Sequence, residues 1–69
     1  FGSSAIKEGQ RCLLRSDMLH TYYKHKDERK IRQYEAENFA RAYKAYKALK
    51  GNSFMDNLKK EVDEWEVVT

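Results

Sequence analysis

The chain has no proline, and glycine occurs only three times in 69 residues. The two strongest helix breakers are thus almost missing, which removes the usual punctuation of sheet-rich and loop-rich folds. β-Branched residues are scarce as well. Strands need alternating runs of Val, Ile and Thr, and only Val67-Val68-Thr69 comes close, so no sheet is predicted. One cysteine, Cys12, excludes an internal disulfide, fits a reducing interior as well as any other compartment, and reads as a small packing residue. No apolar run approaches the roughly 20 residues that span a bilayer, and no signal segment opens the chain, so a soluble, unsecreted protein is expected. Phe1-Gly2-Ser3-Ser4 reads as a cloning remnant, which leaves 5–69 as a single helical domain cut or processed from something longer.

The parts of an active site are equally scarce. His20 and His25 are five residues apart, which on a helix turns them roughly 140° from each other, and Cys12 is distant, so no metal site is expected. Ser16-Asp17 is a polar pair on a helix with no base arranged beside it. No glycine-rich phosphate loop occurs, since Gly51 stands alone. The sequence therefore predicts no catalytic residues, no cofactor and no small-molecule substrate.

What is present favours helix: Ala, Glu, Lys, Leu and Arg are plentiful. A first helix is predicted from about Ser4 to Lys24, with Ser3 or Ser4 as N-cap and Gly9 as a weak point. Leu14, Met18 and Tyr22 form one stripe, and Cys12, Leu19 and Tyr23 form a second beside it. Two apolar faces on one helix call for two neighbours, one of which can be another copy, so the second stripe is the predicted self-association or partner surface. Lys24 to Arg29 carry no apolar anchor and predict a break, with Asp27 capping the next helix. That second helix runs to Leu49 or Lys50, with Ile31, Tyr34, Asn38, Ala42, Tyr46 and Leu49 inward, Phe39 and Ala45 flanking, and Gln33, Glu37, Arg41, Lys44 and Lys47 outward. Gly51 is expected to close it in the left-handed conformation, before Asn52. Ser53 then caps a third helix, with Asp56 as a short-armed capping box, and Phe54, Leu58, Val62 and Trp65 line its inner stripe beside Met55. The Trp65 indole N–H is expected to find a polar partner. The fold class read from this is all-α, a small three-helix domain with a short last helix folded back after the Gly turn.

Folding so short a chain hides only about 60% of its unfolded surface, so aromatic side chains (three Phe, one Trp and five Tyr) must carry much of the burial. Charge is uneven. Lys24, Lys26, Arg29, Lys30, Arg32, Arg41, Lys44 and Lys47 make the middle basic and are possible nucleic-acid contacts, whereas from Asp56 to Thr69 five acids face two lysines. The whole chain is only +3, acids interrupt the basic run, and a recognition helix opening Phe54-Met55-Asp56 has the wrong chemistry for a major groove. A membrane-surface helix fits poorly, because each stripe has another to pack on.

The segments Leu13-Leu14-Arg15, Tyr22, Tyr43-Lys44-Ala45-Tyr46 and Ala48-Leu49-Lys50-Gly51-Asn52 together resemble a family of small helical proteins encoded by tailed phages and prophages of Gram-positive bacteria. The likeness covers about Gln10 to Val68. Lys50 departs from the double glycine of that family's turn, while Gly51 keeps the position expected to need a positive φ. The resemblance brings no activity with it. It implies an origin near tail and lysis functions, in the bacterial host's cytoplasm or on the virion. The expected function is a non-enzymatic interaction module that self-associates or docks on a larger phage or host assembly; the alternative is an accessory nucleic-acid-binding protein using segment 24–47.

Overall fold

A computed structural model describes residues 2–51 and 53–69; Phe1 and Asn52, both named above, lie outside the described residues. The described residues are predominantly helical and form three helices, as expected: α1 (Gly2–His25), α2 (Gln33–Ala48) and α3 (Phe54–Asp63). Two three-residue strands, β1 (Lys30–Arg32) and β2 (Glu66–Val68), overturn the expectation of no sheet. They pair in parallel, with Lys30 opposite Glu66, Ile31 opposite Val67 and Arg32 opposite Val68. Ile31 is buried between two exposed basic residues, which is the alternation that a pleated strand imposes. Because α2 and α3 intervene, β2 returns beside β1 in the same direction, and the Glu66 amide donates to the Arg29 carbonyl at 3.1 Å.

The break therefore has a different shape from that predicted. α1 runs on through Lys24 and His25, Asp27 caps nothing, and Ile31 belongs to β1 rather than to the second helix. Arg32 holds the N-cap position of α2 with extended backbone, and its N–H donates to the Glu35 carboxylate at 3.4 Å. A glutamate reaching back from the third helical position satisfies a donor that the helix itself leaves orphaned. At the other end of the chain's first element, Ser3 and Ser4 sit inside α1, so neither caps it.

α2 ends in a Schellman arrangement: the Lys50 amide donates to the Lys47 carbonyl and the Gly51 amide to the Tyr46 carbonyl, each at 2.9 Å. The residue with positive φ is Lys50, at 63°, and Gly51 has none. The expectation misplaced the left-handed residue by one. Gly51 is required for another reason: a Cβ there would run into the Tyr46 ring. Ser53 occupies the N-cap of α3 without a side-chain cap bond. Asp56, instead of closing a capping box, accepts from Tyr43 Oη at 2.5 Å and from Lys47 at 3.4 Å, which fastens α3 to α2.

The core consists of Met18, Ile31, Phe39, Ala42, Tyr46, Met55, Leu58, Val62 and Trp65. Met55, not Phe54, leads the inner stripe of α3; Phe54 is 52% exposed. On α2 the buried line is Phe39, Ala42 and Tyr46, whereas Tyr34 and Asn38 face solvent. Once Ile31 is removed into a strand, the inward face of α2 is set by its packing on α1 and α3 and turns away from Tyr34. Trp65 stacks on Tyr22 with centroids 5.5 Å apart, and Tyr22 Oη donates to Glu61 at 2.9 Å. The Trp65 indole N–H is buried without a hydrogen-bond partner among the described residues, contrary to expectation.

Candidate interaction surface

α1 meets the rest of the fold along Arg11, Leu14, Met18, Tyr22 and His25, all buried or half-buried, at steps of three and four. Its first turns, Ser4 to Gln10, are exposed throughout. Arg11 fixes the helix at the point where contact begins: one guanidinium nitrogen donates to the Leu49 carbonyl at 2.6 Å, the other pairs with Glu8 at 2.5 Å. An arginine on the last carbonyls of α2 suits the negative end of that helix.

The predicted surface of Cys12, Leu19 and Tyr23 is only partly assembled. Leu19 and Tyr23 border one shallow depression with Ser16, His20 and Lys24. Leu19 is half-buried and packs against the core, while Tyr23 is 60% exposed with its edge on the Tyr22 ring. Cys12 is exposed rather than packed, and lies apart in a cleft with Arg15, Tyr46 and Lys50. The sequence reading missed Ile6 and Leu13, which are 62% and 73% exposed. Their spacing of seven on a helix was the available signal.

Leu13 also borders an open groove of about 530 Å³ between α1 and the second half of α2, lined by Gln10, Leu13, Leu14, Ala45, Ala48 and Leu49. Ala45 and Ala48 keep the floor low because a methyl group is all that rises from the backbone there. Arg41 and Lys44 lie one turn before them on α2 and join no ion pair among the described residues.

The basic segment divides in two. Lys24 pairs with Glu35, Lys26 with Asp27, Arg29 with Glu61 and Glu64, and Lys47 with Asp56. The acidic tail thus neutralises part of the basic middle within one chain. Lys30, Arg32, Arg41 and Lys44 have no such partner among the described residues, and Tyr34, close to Arg41, is 66% exposed.

Glu35 is the most enclosed carboxylate in these pairs. His25 Nε2 lies 2.9 Å from Glu35 Oε1 but out of line for a hydrogen bond, so the contact acts as an ion pair when the imidazole is protonated. Burial pushes the Glu35 carboxyl up, but His25, the Arg32 amide and Lys24 together outweigh it and hold the group below its ordinary value. A carboxyl depressed on folding gives stability that is full above its unfolded value and is lost as pH falls through the folded one. Urea midpoints of the parent chain should therefore drop between about pH 5 and 3, and Glu35→Gln should flatten that part of the profile while costing about 1 kcal/mol at neutral pH. Equal acid slopes for the two chains would show that other carboxylates govern the fall.

Among the described residues no group of three or more His, Cys, Asp or Glu side chains is placed to hold a metal, and no helix is long and apolar enough to cross a membrane. His20 is exposed, on the far side of α1 from the half-buried His25. Comparison with known protein families, with curated proteins and with solved structures finds no match to this chain.

Proposed function

We propose that the chain is a non-enzymatic interaction module of phage type, which docks an amphipathic helix of a larger phage or host assembly between α1 and α2. The observation that carries this reading is the groove between Leu13-Leu14 and Ala45-Ala48-Leu49. Two helices side by side with alanines between them offer the low channel into which a third helix packs its ridge. Arg41 and Lys44, one turn before the alanines of the floor and without an ion-pair partner among the described residues, favour a helix with acidic flanks. The Leu-Leu-Arg and Gly-Asn likeness supports the phage-type setting.

Pairwise binding to purified tail and lysis-region proteins of Gram-positive phages tests the reading. Ala48 is exposed, so Ala48→Glu leaves the core alone while placing a charge on the floor of the groove. A parent that binds one of these proteins, and a variant weakened at least ~10-fold, is the expected pair of results. Unchanged affinity in the variant, or a parent that binds none, overturns it.

One observation favours a second reading, accessory nucleic-acid binding: Lys30, Arg32, Arg41 and Lys44 have no ion-pair partner among the described residues, and the exposed Tyr34 ring can stack on a base. Lys24, Lys26, Arg29 and Lys47, held by carboxylates, contribute less. A low-salt gel-shift titration without retardation would exclude it.

A further inference from the structure

α1 carries a second regular stripe on the side away from the body. Ile6, Gly9, Leu13, Ser16, His20 and Tyr23 follow one another at steps of three, four, three, four and three, and all six are exposed. That alternation is the spacing of a coiled-coil seam. None of the six is Asp, Glu, Lys or Arg, although those types make up 36% of the chain. The stripe can therefore be buried without desolvating a charge, and it can meet its own copy without like charges touching across the seam, in a chain whose net charge of +3 otherwise repels copies of itself.

Gly9 is the second observation. It lies well inside α1, where glycine is the poorest helix former after proline, yet a Cβ there would meet none of the described residues within 4 Å and its φ is not positive. Nothing in the single chain uses the missing side chain; a neighbour's approach would.

We propose that α1 pairs with α1 of a second copy in antiparallel orientation along this stripe. An in-register parallel pair would set Gly9 on Gly9 and Ser16 on Ser16, leaving voids, and would crowd Tyr23 on Tyr23. The antiparallel pair centred between Leu13 and Ser16 sets Leu13 against Ser16 of the second copy, His20 against its Gly9 and Tyr23 against its Ile6. Small residues then face large ones in the two inner layers, as close packing requires. The stripe covers only about 25 Å of helix, too little for the roughly 1,200 Å² of a stable interface, so the dimer is weak and forms at high protein concentration.

Sedimentation equilibrium up to millimolar concentration gives the first test, with self-association expected and a strict monomer overturning the pairing. Orientation follows from disulfide trapping. In a Cys12→Ala background, Ile6→Cys and Tyr23→Cys chains are mixed in a glutathione redox buffer at that concentration. The mixed 6-to-23 disulfide is expected to exceed either homodimer about tenfold; excess of the Ile6→Cys homodimer, or a statistical mixture, overturns the antiparallel register. Gly9→Ala supplies an independent sign test. It should lower the unfolding constant of the dilute monomer about fivefold while weakening association severalfold, and association left unchanged contradicts the close approach. Circular dichroism of each variant confirms that α1 is intact. Ala48 is not in the stripe, so a monomeric chain sinks this pairing and leaves the groove reading to the Ala48→Glu experiment.

Discussion

Gly51→Ala is expected to destabilise the domain by roughly 2–3 kcal/mol, far more than an exposed turn substitution normally does. The added methyl would occupy the space of the Tyr46 ring, which is itself pinned in the core at 2% exposure. A chain of this length has on the order of 3–10 kcal/mol to lose, so the loss shows directly in a urea titration followed by circular dichroism. The backbone is not at fault, because Gly51 lacks the positive φ that would strain an alanine. Hence the penalty should fall by at least half in a Tyr46→Leu background, where the ring is gone. An equal penalty in both backgrounds would place the strain in the main chain instead.

Trp65→Ala should cost about 3–5 kcal/mol and leave the chain largely unfolded at room temperature. Trp65 is 4% exposed, stacks on Tyr22 of α1, and immediately precedes β2, so its loss loosens both elements together. Trp65→Phe is the informative companion. Its ring keeps most of the stack and removes an indole N–H that is buried without a partner, so its cost should stay near 1–2 kcal/mol. If the phenylalanine variant were as unstable as the alanine one, the N–H would have to be bonded in solution.

Much of this framework was legible in the sequence because it rests on local chemistry. The missing prolines, the 3.6-residue stripes of α1, and the turn after Leu49 each act within a few residues, and the three helices followed from them. The outward set Gln33, Glu37, Arg41, Lys44 and Lys47 was also read correctly, as all five are exposed. What failed depended on distant partners. A strand of three residues at Lys30–Arg32 exists only because Glu66–Val68 comes to lie beside it, and no window around Ile31 contains that information. The choice of Met55 over Phe54, and of Phe39 over Tyr34, is settled by which neighbour each helix packs on. Gly51 was read as the residue that closes the second helix, but from a dihedral argument rather than from the Tyr46 ring that decides its role. Of the predicted Cys12, Leu19 and Tyr23 on α1, Cys12 and Tyr23 are exposed while Leu19 packs against the core; the seven-residue step from Ile6 to Leu13 was visible but hidden by the richer stripe of Leu14, Met18 and Tyr22.

The parallel ladder also sets an order of events in time. Lys30 and Glu66 are far apart along the chain, and two strands of three residues cannot hold each other unaided. The ladder must wait until the helices between them have docked, since closing so long a loop has to be repaid by contacts already made. It is therefore the last part of the molecule to zip during refolding and the first to breathe open, and the backbone amides around Ile31 and Val67 should trade their protons for deuterium well ahead of those beneath Tyr46.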